Sequence, residues 1–253
     1  MRITKWIVGA FLFSGVLMAQ SADGKQPKLK SQKEQDAVMA IFNAADPAGR
    51  ITAVDALLGK FADSEYKGTA LFIATAAAEE MNNWEKTVIY GDRTLEADPK
   101  NYGAMLILAR GYATHTREFD FDKEEKLAKA DKYAKGALEL LKNAPKIRPD
   151  IQDEQWEAQR KTWISEAHEA MGLAASVRKK YDDSVAEYKL GLEATPGNQN
   201  LMTRIATAYL DAKKYDESIA AANQVLALSG LNPQVKSIAE NIKARAVAGK
   251  ATK

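Results

Sequence analysis

Between Ser165 and Asn232 the sequence repeats itself. Aligning Tyr181 with Tyr215 gives a register of 34 residues. In the first copy Met171-Gly172 precedes Ala175, followed by Tyr181-Asp182-Asp183-Ser184, Tyr188, Gly191 and Pro196. In the second Ile205-Ala206 precedes Tyr209, followed by Tyr215-Asp216-Glu217-Ser218, Ala222, Val225 and Gly230. Such a period constrains folding more than any composition does. One unit cannot bury its apolar face alone, so neighbouring units must stack.

The pattern resembles the tetratricopeptide repeat, whose units carry a bulky residue, Leu-Gly, Tyr, then Ala, Phe, Ala and Pro at fixed offsets. His168 stands where that family has a Trp, and Ala175 where it has a Tyr. The resemblance implies an all-α chain, a right-handed superhelical solenoid of helix-turn-helix repeats with a C-terminal capping helix. It also implies a scaffold for protein contacts.

The same register can be carried backwards. Residues 68–101 hold Leu71, Ala74 and Ala78 on a first helix, with Trp84 in place of Tyr181, then Thr87, Gly91, Thr94 and Pro99. Small residues at Ala74, Thr75 and Gly91 let two helices approach closely. Residues 102–144 form a third unit, with Met105, Leu108-Ala109 and Tyr112 before a second helix bearing Ala130, Ala134, Ala137 and Leu140. Its turn is lengthened by an insertion at 114–126, and a second insertion occupies 143–163. Asp150 or Asp153 then starts a helix running to about Lys179. Residues 34–67 fit as a degenerate first unit, entered from Asp46-Pro47, an N-cap followed by a proline at the first helical position. The units at 165–198 and 199–232 complete the array. Asn232-Pro233 opens a cap at 233–247 with Val235, Ile238, Ile242 and Val247 at helical spacing, and 248–253 is expected to fray.

The N-terminus reads differently. Arg2 and Lys5 precede Trp6–Ala19, an uncharged and mostly apolar run, and the sequence then turns polar. This predicts a signal peptide at 1–19, with cleavage after Ala22 as the alternative, and a flexible lead-in at 20–30. The run is short for a membrane span, and no later stretch is apolar enough for one, so the chain is expected to be exported, periplasmic or secreted, with no stable span after cleavage. Without Arg2 and Lys5 the chain carries 34 basic and 34 acidic residues, which gives no electrostatic footprint for nucleic acid.

Chemistry is sparse. The chain has no cysteine and two histidines, His115 and His168. His168 lies between Glu166 and Glu169, but no second His or Cys completes a tetrahedral site, so it reads as a packed histidine. Asp120-Phe121-Asp122-Lys123-Glu124-Glu125 lacks the glycine of a calcium loop. No phosphate loop, nucleophile elbow or Ser/His/Asp set is present. No catalytic residue, metal ligand or cofactor is therefore assigned, and the chain reads as a non-enzyme.

What the resemblance implies instead is a concave partner-binding face, formed by positions 2, 5, 9, 12 and 13 of each first helix. Transferred residue by residue, its members are Phe72, Glu79, Glu80, Leu106, Arg110, Leu173, Thr203 and Leu210, with Phe72, Leu106 and Leu210 as apolar anchors. Arg110 is the one basic residue on that face, so the lysine, asparagine and arginine clamp of chaperone-binding relatives is not expected. Phe119 and Phe121 either pack on a neighbouring helix or form an aromatic arm that holds a partner. Trp156 marks a binding patch if it is exposed. The expected function is an exported adaptor that binds a protein or peptide. The alternative is a structural component that assembles with copies of itself in an envelope complex.

Overall fold

The structure, a computed structural model, describes residues 27–147 and 150–252. The expected signal peptide at 1–19, and residues 20–26 of the expected lead-in, lie outside the described residues. Within them the chain is all-α, with eleven helices and no strand: α1 (Gln32–Asn43), α2 (Pro47–Lys60), α3 (Lys67–Glu80), α4 (Trp84–Ala97), α5 (Tyr102–Thr114), α6 (Lys123–Lys142), α7 (Asp153–Val177), α8 (Tyr181–Ala194), α9 (Gln199–Asp211), α10 (Tyr215–Leu226) and α11 (Pro233–Ala251). The chain forms two compact units. One runs to Ile107 and includes 143–156; the other comprises 108–142 and 157–253.

Local chemistry sets the helix starts. Ser31, Asp46, Asn83, Asn198 and Asn232 each accept a backbone N–H of the first turn through the side chain, and Pro47 and Pro233 occupy the first helical position. Those first-turn N–H groups have no intrahelical acceptor, so a capping oxygen satisfies them.

Three helix pairs turn in the same way. Asn82, Lys179 and Lys213 adopt left-handed backbone, with φ of 52°, 60° and 58°. The next N–H in each case bonds back to a carbonyl five residues earlier: Asn83 to Ala78, Lys180 to Ala175 and Lys214 to Tyr209, each at 2.9 Å. This Schellman geometry satisfies the last carbonyls of the first helix and reverses the chain within three residues. The α5–α6 link, 115–122, contains no left-handed residue. It is tied by side chains and backbone together: Thr116 donates its hydroxyl to the Tyr112 carbonyl, Arg117 N–H donates to the Asp120 carboxylate, and Lys123 N–H to the Asp120 carbonyl.

In the first unit the core gathers Val38, Ile41, Ile51, Val54, Leu57, Leu71, Ile73 and Tyr90 around an alanine surface at Ala70, Ala74, Ala77 and Ala78. Alanines bring α3 and α4 close enough for Thr75 and Thr94 to share a buried hydroxyl–hydroxyl bond of 3.0 Å. Each hydroxyl also lies within reach of a carbonyl of its own helix, so one donates to the other hydroxyl while that one donates to its carbonyl, and neither is left unpaired in the core.

At its described end, residues 27–30, the segment expected to be a flexible lead-in is tied to the fold. Lys28 N–H donates to Glu65, Lys30 N–H to Glu34, and the Lys30 ammonium to Asp63 at 2.6 Å. Glu34 itself is buried, and hydrogen bonds from Ser64 and from the Lys30 backbone hold its carboxyl below the usual carboxylate range.

In the second unit the core holds Val185, Tyr188, Leu201, Ile205, Leu210, Ala222, Ile242 and Ala246. Glycines make room at its helix crossings. A Cβ on Gly191 would lie 2.8 Å from Leu201 Cδ1, and Gly172 faces the Tyr188 ring with no space for a side chain. The stacked rings of Tyr112 and Tyr133 join α5 to α6, with centroids 6.2 Å apart. Arg178 bridges Glu124 and Asp131 at 2.9 Å each.

The C-terminal helix corrects a second expectation. Rather than fraying after residue 247, α11 continues to Ala251. The reason is steric and electrostatic. Gly249 leaves a seat for the Tyr215 ring, 2.6 Å from where its Cβ would stand, and Lys250 pairs with Asp216.

Candidate protein-binding faces

The eight residues assigned to a partner face divide between the two units. In the first, Phe72 is half-buried with its ring over Gly103, where a Cβ would come within 2.6 Å of Phe72 Cζ. Glu79 is half-buried, and Glu80 pairs with Arg50 of α2. Leu106 is 5% exposed and offers almost nothing to a partner. As an apolar anchor it fails, because its surface is already covered by the chain.

In the second unit Leu210 fails for the same reason. It is 7% exposed and belongs to the core cluster with Leu201, Ile242 and Ala246. Thr203 is also buried and donates its hydroxyl to the Gln199 carbonyl at 2.7 Å. Arg110 and Leu173 remain partly accessible.

Arg110 and Leu173 belong to a pattern that extends past the assigned set. The Arg110 guanidinium stands 4.0 Å from Glu166, and Arg204 Nε donates to Glu169 at 2.7 Å. Glu166, Glu169 and Leu173 recur at three- and four-residue spacing, which puts them on one face of α7. That face therefore presents carboxylates joined to arginines of α5 and α9, with Leu173 next along the helix. Arg204 was not among the residues read from the sequence. Its separation of 35 from Glu169, close to the repeat period, is the signal that could have found it.

His168 is held by Glu187, with Nδ1 2.8 Å from Oε2. Among the described residues no three His, Cys, Asp or Glu side chains gather where they could share a metal ion. No described helix is long and apolar enough to cross a membrane. An open cavity of about 640 Å³ lies between the α7–α8 and α9–α10 turns, lined by Lys179–Asp183 and Asp211–Lys214. Two of its lysines are engaged with acids already: Lys179 with Glu118 and Lys214 with Asp182, both at 2.5 Å. Trp156 is 5% exposed, so it marks no patch. Phe119 and Phe121 behave oppositely. Neither packs on a neighbouring helix; Phe119 is 88% exposed and Phe121 fully so.

No family model matches the sequence. No curated protein matches it either. Solved structures do. The chain is similar to TTC0263, a thermophilic TPR protein of Thermus thermophilus, at 14% identity and a TM-score of 0.53, over 83% of this chain and 98% of that one. It is similar to MamA of AMB-1 at 15% identity and a TM-score of 0.52, over 81% and 97% of the respective chains. At such low identity the likeness speaks for fold, and the fold is an α solenoid of helical repeats shared with tetratricopeptide-repeat proteins.

Proposed function

We propose that the chain is a non-catalytic scaffold, exported to the periplasm or beyond, that binds a protein or extended peptide on the first-helix face of its second unit. The observation that carries this reading is the run of Arg110, Glu166, Glu169, Leu173 and Arg204 across α5, α7 and α9. Arg110, Glu166 and Arg204 keep 40%, 36% and 38% of their side-chain surface in water. Exposed ion pairs of this kind contribute little to folding, in the range of about 0–1 kcal/mol each. Their groups can therefore exchange partners at small cost when a peptide supplies its own charges and amides. Leu173 adds the apolar contact beside them, and alternating charge fixes the register of what binds.

The sequence-based anchors need revision in the test. A charge at Leu106 would be buried and would unfold the chain before it said anything about binding. The informative variant is Arg110→Glu with Leu173→Glu. The mature protein, tagged and crosslinked in an envelope extract, is expected to capture a partner that this variant loses. A control at the exposed Lys189, Lys189→Glu, should retain it, with helicity by circular dichroism unchanged in both. A partner held equally by the double variant would remove the first-helix face from consideration.

A further inference from the structure

The end helix of the first unit is fastened differently from its neighbours. α1 has 12 residues, and of its apolar side chains only Val38 and Ile41 are fully buried. A helix of that length owes its order in water to what it packs on. α1 packs along α2.

Its remaining hold is polar and sits at its N-terminal end. Ser31 caps the helix by accepting the Glu34 N–H at 3.2 Å. The Glu34 carboxylate turns back and accepts the Lys30 N–H at 2.6 Å, so it also holds the strap of residues 28–30. It lies in the first turn of α1, where the helix dipole favours negative charge. Strap and helix start therefore depend on one anion.

Among the described residues Glu34 is the one carboxylate that is buried. A charged group stays in such a place only where donors are aimed at it. Here the Ser64 hydroxyl and the Lys30 N–H do so, and they hold the carboxyl below its usual range. The charged groups facing Glu34 are Lys30 of the strap and Asp63 of the α2–α3 link, and Lys30 is faced in turn by Asp63, Glu34 and Glu65. Asp63 keeps 81% of its side-chain surface in water, so its pair with Lys30 contributes little. The tie from Lys28 N–H to Glu65 is exposed as well. The buried carboxylate decides.

A proton on Glu34 acts on all of this together. The bond from Lys30 loses its charge assistance, worth roughly half its strength. The attraction to the helix dipole goes, and the new O–H meets groups that were donating to it. Because closure lowers the carboxyl value, the contribution of Glu34 is present above the ordinary 4.5 and is lost as pH falls through the lowered value. α3 and α4 have no such dependence, since their crossing is closed by alanines and by the Thr75–Thr94 hydroxyls.

We propose that Glu34 is an acid-operated latch: on its protonation the strap and α1 lift from α2 as one flap, while α3 and α4 stay folded. The apolar surface closed by Val38 and Ile41 then opens to water. The latch belongs to the first unit and makes no use of Arg110, Leu173 or their ion pairs, so it stands apart from the partner-binding reading.

The test is hydrogen exchange read by mass spectrometry on the chain from Asp23 onward, from about pH 7 down to about pH 3, each rate divided by that of an unstructured peptide at the same pH. Residues 28–43 are expected to lose protection below 4.5, by about tenfold for each unit by which closure lowers the Glu34 carboxyl. Residues 71–78 should keep theirs. Glu34→Gln should exchange faster over 28–43 at neutral pH and show no step in acid. Ser64→Ala keeps the carboxylate but removes a donor, so it should stay closed at neutral pH and open at a higher pH than wild type. Asp63→Asn should stay closed at neutral pH. If Glu34→Gln leaves 71–78 unprotected as well, it has not folded and Ser64→Ala decides. Protection of 28–43 that persists to the acid limit, protection lost there only together with 71–78, a folded Glu34→Gln as closed as wild type, or a Ser64→Ala midpoint that does not move would each overturn the proposal.

Discussion

Gly172 on α7 lies directly under the ring of Tyr188 on α8, and the ring fills the volume that a Cβ would need. Tyr188 is 2% exposed, so it cannot swing aside into solvent. Gly172→Ala should therefore overpack the crossing, at about 1–3 kcal/mol, against a gain of about 1 kcal/mol in helix propensity. Gly59, near the end of α2, has nothing within 4 Å of its would-be Cβ. There the same substitution should stabilise by about 0.5–1 kcal/mol. Urea midpoints of the two variants should move in opposite directions.

The left-handed turn at Lys213 supplies a second expectation. A side chain in this conformation costs roughly 1–2 kcal/mol relative to right-handed backbone, and glycine escapes that cost. Lys213→Gly is expected to raise stability by about 0.5–1 kcal/mol. Lys213→Val should lower it, since a branched Cβ aggravates the same clash. Thermal melts of both, run beside wild type, decide the matter.

Tyr90 donates its hydroxyl to Asp55 at 2.8 Å. Burial, and then the Asp55 acceptor, push its phenol up to about 12. Removing the hydroxyl in Tyr90→Phe should cost about 1 kcal/mol at neutral pH. Because the folded value is raised, the contribution is complete below the unfolded value near 10 and fades as pH rises toward 12. The difference between wild type and variant should accordingly shrink over that window in alkaline denaturation curves.

Glu34 acts at the other end of the scale. Its hydrogen bonds from Ser64 and the Lys30 backbone lower the folded value, so its contribution is present above the ordinary carboxylate value of 4.5. It is lost as pH falls through the lowered folded value. Glu34→Gln should be less stable than wild type at pH 7, and the two should converge in acid. Amide protection in α1 would report the same loss locally.

Much of the helical layout could be read from the sequence because its signals are local. Asp46-Pro47 and Asn232-Pro233 start helices by chemistry confined to a few residues, and the Tyr181–Tyr215 register places the turns before α8 and α10 without tertiary information. The departures share another cause. Lys28 and Lys30 are held by Glu65 and Asp63, and α11 extends because Gly249 receives Tyr215; both depend on partners more than thirty residues away or on a shape that composition does not reveal. The partner face suffered most. Leu106 and Leu210 occupy positions that a repeat register assigns to an open surface, yet they are covered. Whether a leucine faces water or a neighbouring helix depends on the packing of that neighbour, which a register cannot encode. Phe119 and Phe121 pose the reverse case, since apolar side chains in a link give no sign of having found no cover.

The α5–α6 link is tied in part by the Asp120–Lys126 and Asp122–Lys126 ion pairs, whereas the bonds that reverse the chain at Asn82, Lys179 and Lys213 run from backbone N–H to backbone carbonyl. Backbone turns are indifferent to dissolved ions, but exposed carboxylate–ammonium pairs weaken as the Debye length falls from about 10 Å at 0.1 M salt to about 3 Å at 1 M. Ionic strength thus acts on the ion pairs of the link that presents the two rings and not on the backbone hydrogen bonds that reverse the chain at the three tight turns, so a change in the surrounding electrolyte can loosen the link without disturbing the helices beside it.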